Sequence, residues 1–387
     1  MSSSKHSKAV AWIAANPGRT RSELAAAIGY SRSSVAQLLH DLIADEKVDS
    51  RAQTSGALGV GRPSELLYAR LPEGYVIAVD FGHTHVGVAI ASLTGTEIGN
   101  GRDFHAVDKD AAGAIELARV LVDEILEESG VDRSRLVAAV ASVPGPLDAG
   151  SEIVRSPTIL SGWVGLDPAR ELSTALDTPV HVFNDANLGA WGEFRYGAAR
   201  SRGHVLYIKA ADGIGAGLIL DGVPYSGARG LAGEIGHTQI EPESALCRCG
   251  NAGCLEVVAS SSAIRAKLRH THPDAPHDRP LPSFVDPVSQ RVLSDAGKAL
   301  GTVLAAACNL MSPELVVIGG ELGECSAFVD AAREGVNRLA QPSMAAGVEV
   351  VAGQLGRTAE LRGAIARAIE IGRGEILSSA NHASVAQ

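Results

Sequence analysis

The chain has 387 residues, of which 45% are apolar, 20% charged and only 4% aromatic, and it carries a net charge of −10. Its length allows two or three domains, and abundant glycine and alanine favour packed α/β layers over a β-sandwich. No apolar run is long enough for a membrane span, and the first residues lack the apolar core of a secretory signal. We expect a cytoplasmic protein without membrane contact.

The charge is unevenly distributed along the chain. Residues 1–72 hold nine Lys and Arg against six Asp and Glu, a net charge of +3, whereas the remainder has a net charge of −13. An acidic body repels polyanions, so any contact with nucleic acid should fall on the N-terminal segment.

Two short helices are predicted across a glycine-containing turn near the N-terminus. Thr20 and Glu23 form a capping box, Gly29 marks the end of that helix, and Ser31 can cap the next one. This is a helix-turn-helix pattern. The Gly-, Ser- and Arg-rich stretch 48–71 is predicted as a β-wing with its return strand.

From residue 75 onward the sequence predicts strands alternating with helices, which favours a layered α/β architecture. The predicted strands are 75–81, 85–91, 96–105, 135–142, 180–183, a glycine-rich pair in 204–220, and 315–318. The predicted helices lie near 110–129, from about 186, and near 288–311, 325–340 and 359–372, after a first helix at 8–15.

Short polar side chains stand at the start of the second helix of the helix-turn-helix. Arg can pair with guanine and Gln with adenine in the major groove, and Arg62 in the wing could enter a minor groove. The alternative is a small helical docking module with exposed polar residues. The predicted DNA-binding residues are Arg21, Ser31, Arg32, Ser33, Ser34, Gln37 and Arg62.

Three of the five cysteines form a compact cluster that His237 precedes. Cys247, Cys249 and Cys254 with His237 suit tetrahedral zinc, and an odd cysteine count with a tight cluster suits a reducing compartment. The alternative is a set of free, buried cysteines and an unrelated histidine. We expect a structural zinc ion, which would fix the loop that bears His237 and Glu256.

Polar residues follow an apolar strand in the motif NDAN at 184–187. Strand-to-helix junctions at one edge of an α/β sheet are where ligands bind, so Asp185 could be a general base or accept a hydroxyl, and Asn184 can donate and accept. The same residues could also form an ordinary helix cap. The motif EIGH at 234–237 adds a second carboxylate and an imidazole, and Glu256 follows the last cysteine.

Several motifs together resemble those of the ROK family, which comprises repressors, uncharacterised frames and sugar kinases. The N-terminal helix-turn-helix marks the repressor branch of that family. The motifs, in family order, are DFGHTH at 80–85, PGP at 144–146, NDAN at 184–187, GIGAG at 213–217, EIGH at 234–237, the cysteine cluster running into Glu256, and IGG at 318–320.

The resemblance implies an actin-like, two-lobed ATPase (ribonuclease H-like) sugar-kinase fold behind an N-terminal winged helix-turn-helix. The domains would be 1–72 for DNA binding, 75–190 for the first lobe, to which the C-terminal helix returns, and 191–387 for the second lobe with the zinc loop. The family's zinc ligands map onto His237, Cys247, Cys249 and Cys254. Its sugar contacts map onto Gly145, Asn184, Asp185, Glu234, His237 and Glu256.

Two loops depart from the pattern of the family's kinases. His83 and His85 replace a glycine and a lysine of the first phosphate loop, and Asp212 replaces a threonine of the second. We therefore expect no kinase activity and no bound nucleotide. The alternative is an ATP-dependent sugar kinase with Asp185 as general base. A docking scaffold is disfavoured by the polar groups gathered at the expected sugar site.

The predicted function is a sugar-responsive DNA-binding regulator of carbohydrate-metabolism genes. Its expected partners are operator DNA and a small sugar or sugar-derivative effector that binds between the lobes and alters operator affinity. Half-sites read by paired helices imply a homo-oligomer, either a dimer or a tetramer.

Overall fold

A computed structural model describes residues 2–45, 47–52, 65–70, 73–145, 158–240, 245–275 and 279–385. Within these residues, no helix combines the length and the apolar character that crossing a membrane requires. The predicted wing residue Arg62 lies outside the described residues.

The N-terminal unit has three helices packed on a three-stranded antiparallel sheet of order β1-β3-β2. The predicted caps are confirmed: Thr20 and Glu23 form the capping box, Gly29 ends the helix in the left-handed conformation, and Ser31 caps the next helix. The elements are α1 (Ser2–Ala15), β1 (Arg19–Thr20), α2 (Arg21–Ile28), α3 (Arg32–Ala44), β2 (Val48–Ala52) and β3 (Glu65–Ala69). This agrees with the predicted helix-turn-helix, whereas residues 53–64 of the predicted wing lie outside the described residues.

The next stretch of chain forms a five-stranded sheet of order β6-β5-β4-β7-β8. Side chains alternate across β4, so that Ile77 and Val79 pack with α4 while Val76 and Ala78 pack on the opposite face. The elements are β4 (Tyr75–Phe81), β5 (His85–Ser92), β6 (Glu97–Phe104), α4 (Ala111–Ser129), β7 (Leu136–Val143), α5 (Pro168–Leu176) and β8 (Val180–Asn184).

A second five-stranded sheet, of order β11-β10-β9-β12-β13, follows along the chain. Its strands are β9 (Val205–Ala210), β10 (Ile214–Leu220), β11 (Val223–Tyr225), β12 (Leu315–Gly319) and β13 (Glu349–Ala352). Its helices are α6 (Asp185–Tyr196), α7 (Leu255–Ala259), α8 (Ser261–Leu268), α9 (Pro287–Met311), α10 (Gly320–Gly323), α11 (Ser326–Leu339), α12 (Pro342–Ala345) and α13 (Ala359–Val385).

The two sheets share one topology. In each, three strands run as antiparallel neighbours, and two later strands extend the sheet in parallel from the first of them. This duplication is the arrangement of the predicted two-lobed actin-like fold. The domain limits at 72, 75 and 190 stay predictions.

Helices α6 and α13 cross between the two sheets. Their backbones approach closely because each contributes a glycine: a Cβ on Gly363 would lie 1.8 Å from the carbonyl oxygen of Leu188, and one on Gly192 would lie 2.3 Å from that of Ala359. Helix α13 also packs on the first sheet through Ala364. The C-terminal helix therefore returns to the first lobe, as predicted.

Several elements differ from the sequence prediction. Strand β11 has only three residues, all exposed, and therefore shows no apolar alternation. Strand β13 is a four-residue edge strand, and helix α5 lies in a stretch that the pattern left unassigned. Helix α13 continues to Val385, well past the predicted end near residue 372.

Arg373 of α13 joins the N-terminal unit to the first lobe. Its Nη1 donates to the carbonyl oxygen of Ala14 at 2.6 Å, and its Nε and Nη2 donate to that of Leu93 at 3.0 and 2.7 Å. Burial lowers the pKa of Arg373. A half-buried guanidinium that donates three hydrogen bonds to two carbonyl oxygens fixes the end of α1 against the lobe.

Replacing Arg373→Ala is expected to loosen this junction, because the carbonyl of Ala14 loses a charge-assisted hydrogen bond. Amide hydrogens in the last turn of α1 should exchange roughly fivefold faster than in the parent protein. Hydrogen exchange followed by mass spectrometry measures this, with the exposed Arg338→Ala in α11 as matched control. Unchanged exchange in α1 would show that Arg373 does not hold the junction.

Candidate functional site

The predicted NDAN motif lies where β8 runs into α6. Asn184 is the N-cap: its Oδ1 accepts from the backbone N–H of Asn187 at 3.1 Å, and its Nδ2 donates to the carbonyl oxygen of Gly145 at 3.2 Å. Asn184 therefore does cap α6, which is one of the two roles that the sequence allowed for this motif. It also orients Asn184 and brings the Gly145 loop to the start of α6, where Asp185 is the first helical residue.

Both carboxylate oxygens of Asp185 have a donor. Lys209 Nζ lies 2.5 Å from Oδ2, and the backbone N–H of Ala186 donates to Oδ1 at 2.7 Å. The side chains of Asp185 and Lys209 are only 11% and 13% exposed, so the ion pair is largely removed from water.

Lys209 comes from the centre of the second sheet. Along β9, Val205 and Tyr207 face α6 and α13, and Lys209 continues that alternation toward Asp185. Burial would lower the pKa of Lys209, but the negative charges of Asp185, Glu360 and Asp80 outweigh it and raise the pKa. One ammonium ion therefore lies among three carboxyl groups.

The other carboxyl groups of this cluster are also partnered. Burial raises the pKa of Glu360 to about 7, although Lys209 opposes the rise, and the hydroxyl of Tyr207 donates to Glu360 at 3.1 Å. Burial opposes ionisation of Asp80, yet the hydrogen bond with His85, at 3.1 Å between Nε2 and Oδ2, and the charge of Lys209 lower its pKa.

Glu234 stands near Asp185 and Glu256. Burial raises the pKa of Glu234; His237 lowers it, and the charges of Asp185 and Glu256 raise it further. The Glu234 side chain is still 41% exposed, and its Oε2 lies 3.7 Å from Nε2 of His237. The chain approaches β10 here through Gly233 (φ +100°), where a Cβ would lie 1.9 Å from the carbonyl oxygen of Ala216.

The predicted metal ligands come together. One donor atom from each of His237, Cys247, Cys249 and Cys254 lies within 4.8 Å of all the others. Nδ1 of His237 is 3.6 Å from Sγ of Cys247, and Sγ of Cys249 is 3.7 Å from Sγ of Cys254. One imidazole and three thiols in a compact group can hold one metal ion.

The loop of this cluster also contacts the first lobe. Arg248, between two of the cysteines, has its Nη1 3.2 Å from Oδ2 of Asp108, whose Oδ1 lies 2.7 Å from Nδ1 of His83. Glu256 accepts from the backbone N–H of Ile214 at 3.1 Å. These groups and Asp212 line a cleft of about 500 Å³ between the lobes.

Five of the predicted DNA-binding residues lie in α3 or at its N-cap, and Arg21 is the first residue of α2. Arg32, Ser33 and Ser34 are exposed in the first turn of α3. Gln37 is also exposed, with its Nε2 2.9 Å from Oδ1 of Asp41. Ser31 is occupied as the N-cap, and Arg21 is paired with Glu65.

Sequence reasoning missed Lys209, Arg248 and Asp108 as site residues. A signal for Lys209 exists: it continues the buried alternation of an apolar strand, where a lysine needs a carboxylate partner. Arg248 and Asp108 are 140 residues apart, and no local pattern pairs them.

Comparison with known proteins places the chain in a family. The ROK family model matches residues 76–371, and the chain belongs to the ROK family. It is 26% identical over 363 residues to the xylose repressor of Bacillus spizizenii, covering 92% of this chain and 93% of that one.

Solved structures agree with the fold. A ROK family transcriptional regulator, a homologue of the Escherichia coli MLC protein, superimposes with a TM-score of 0.76 at 22% identity, covering 98% of each chain. A ROK family glucokinase from Streptomyces griseus, in complex with glucose and AMPPNP, has a TM-score of 0.67 at 26% identity and covers 76% of this chain and 99% of that one. The family therefore includes relatives of both kinds.

Replacing Cys249→Ser is expected to lower the metal content of the purified protein and its melting temperature, because the cluster keeps only three strong ligands. Elemental analysis and thermal unfolding measure both. The matched control is Cys308→Ala, whose thiol is buried in the second lobe away from the cluster. Equal metal content in the parent and both variants would contradict a metal centre at these residues.

Proposed function

We propose that the protein is a sugar-responsive DNA-binding transcriptional regulator, acting as a repressor of carbohydrate-metabolism genes. The observation that carries this proposal is the exposed polar first turn of α3 on a unit joined to a two-lobed sugar-kinase fold. The similarity to the xylose repressor extends over 92% of the chain, whereas the glucokinase matches only 76%.

The effector binds between the lobes, at Gly145, Asn184, Asp185, Glu234, His237 and Glu256. Carboxylates and amides suit sugar hydroxyls, which donate and accept in pairs. The nearby cations are already committed, Lys209 to Asp185 and Arg248 to Asp108, while Glu234 and Asp212 add negative charge. This balance favours an unphosphorylated sugar over a sugar phosphate.

The metal is zinc, and its role is structural. Three thiolates and one imidazole complete a tetrahedral set, which leaves no position for a reacting water. When bound, zinc would fix the loop that presents His237 to the sugar and Arg248 to the first lobe.

Sugar binding acts on DNA through the arrangement of the lobes. A ligand that contacts both lobes stabilises one arrangement over the other. The Arg248–Asp108 contact is a bridge between the lobes that such a change would strain or reinforce. Paired recognition helices in adjacent half-sites require a dimer or a tetramer.

The alternative is an ATP-dependent sugar kinase with Asp185 as base. The residues at the positions of the kinases' phosphate loops disfavour it. His83 and His85 are hydrogen-bonded to Asp108 and Asp80, and Asp212 stands in the cleft between the lobes. A triphosphate would meet these carboxylates. Sugar-dependent ADP formation from Mg-ATP, lost in Asp185→Asn, would favour the kinase instead.

The experiment that tests the function is binding of the purified protein to its own upstream DNA, at fixed salt, with and without a panel of free sugars and sugar phosphates. We expect specific binding that one unphosphorylated sugar shifts. Absence of specific binding at every salt concentration would refute the regulator.

Replacing Arg32→Ala is expected to weaken operator binding roughly ten- to a hundredfold through loss of a base or phosphate contact. Sugar affinity should stay unchanged, because α3 is remote from the cleft. Fluorescence anisotropy and calorimetry measure the two affinities. Arg291→Ala, an exposed arginine of α9, is the matched control, and equal operator affinity in both variants would rule out α3 as the recognition helix.

Replacing Glu234→Gln is expected to lower sugar affinity roughly ten- to a hundredfold, because a charged acceptor for a hydroxyl is lost. Its partial exposure makes a folding defect small. Operator binding should persist but no longer respond to the sugar at the parent's effective concentration. If operator binding by Glu234→Gln responds to the sugar as the parent's does, Glu234 is not part of the sugar site.

A further inference from the structure

Lys209 is the one cation that contacts Asp185 in the described part of the chain. It lies in β9 and belongs to neither of the two loops that correspond to the kinases' phosphate loops. Its ammonium lies 2.5 Å from Oδ2 of Asp185, while Ala186 N–H occupies Oδ1. A lysine in the central strand of a sheet is costly unless its charge is compensated. Here the compensating groups come from α6, α13 and β4, namely Asp185, Glu360 and Asp80.

This placement changes what Asp185 can do. A general base must have a free lone pair directed at the hydroxyl proton that it accepts. Lys209 and Ala186 each take a lone pair, and the ammonium competes with any proton for Oδ2. The remaining lone pairs can still accept a hydrogen bond from a hydroxyl.

We propose that Lys209 is the positioning residue of the sugar site, holding the Asp185 carboxylate in place through its contact with Oδ2 as a fixed acceptor for a sugar hydroxyl rather than as a base. The inference rests on the proposed sugar site. It assigns to Lys209 the internal counter-charge that keeps three carboxyl groups together where the two lobes meet.

The test uses the full chain and four variants. Lys209→Met keeps the length of the side chain and removes the charge, and Lys209→Arg keeps the charge. Asp185→Asn, alone and combined with Lys209→Met, removes the carboxylate that needs the cation. Thermal unfolding without sugar is measured first, and then calorimetry with the sugar that shifts operator binding, between pH 5.5 and 8.5.

In unfolding, Lys209→Met should lower the melting temperature, and adding Asp185→Asn should restore part of the loss, because the pair is coupled. In calorimetry, Lys209→Met should bind the sugar about tenfold more weakly at pH 7. Its affinity should rise with pH more steeply than that of the parent, because a buried carboxyl without its cation must first ionise. Lys209→Arg should recover most of the affinity.

The parent is titrated in parallel because Glu234, Glu360, Asp80 and His85 also face this region. Lys209 also lowers the pKa of Glu360 and of Asp80, so Asp185→Asn and the double variant are titrated as well. A steeper pH dependence that Lys209→Met shows relative to the parent, and that the double variant lacks relative to Asp185→Asn, is assigned to Asp185. Parent-like affinity of Lys209→Met at every pH, or a weaker affinity whose pH profile parallels the parent's, would overturn the proposal. If the parent binds no sugar, the proposed function fails instead. Melting-temperature shifts of Lys209→Met and Asp185→Asn that simply add in the double variant would separately overturn the Lys209–Asp185 coupling.

Discussion

A buried ammonium ion organises the contact between the two lobes. Lys209 faces Asp185, Glu360 and Asp80, which arrive from one helix end, another helix and a strand of the opposite sheet. Without a cation, carboxyl groups so close together and so far from water would repel one another, and some would stay protonated. Glu360 already shows this tendency, since burial raises its pKa to about 7 even beside Lys209.

Here the balancing charge belongs to the chain. An internal counter-charge suits a sugar-binding regulator, because the site keeps its geometry between binding events and needs no ligand besides the sugar. Two histidines of the first loop also contact carboxyl groups: Nε2 of His85 lies 3.1 Å from Oδ2 of Asp80, and Nδ1 of His83 lies 2.7 Å from Oδ1 of Asp108.

Local sequence signals located the helix-turn-helix and β4, although they missed α5, whose cap Asp167 is also local. The caps Thr20, Gly29 and Ser31 placed three of the ends of α2 and α3 correctly, and the predicted strand 75–81 matched β4. The cysteine cluster could also be predicted from the sequence, because three of its four candidate ligands lie within eight residues. Motif resemblance supplied the two-lobed fold, which no single window of the sequence could.

The sequence did not reveal which side chains pair when they are far apart along the chain. The ion pair of Arg248 with Asp108 joins residues 140 positions apart, and the cation at Lys209 meets Glu360 only because β9 and α13 pack across the interface of the lobes. Short, exposed strands such as β11 were missed for a different reason. They carry no apolar period, and pairing with β10 defines them.

Helix α13 connects this charge cluster to the DNA-binding unit. Glu360 lies in its first turn, and Arg373 lies 13 residues later, a distance of about 20 Å along a helix. The close crossing of α6 and α13, which leaves no room for a Cβ at Gly363, packs the helix that begins at Asp185 directly against α13. Arg373 of α13 in turn bonds the carbonyl of Ala14 at the end of α1. A sugar that alters the packing of the lobes thereby acts on a helix that the recognition unit also contacts.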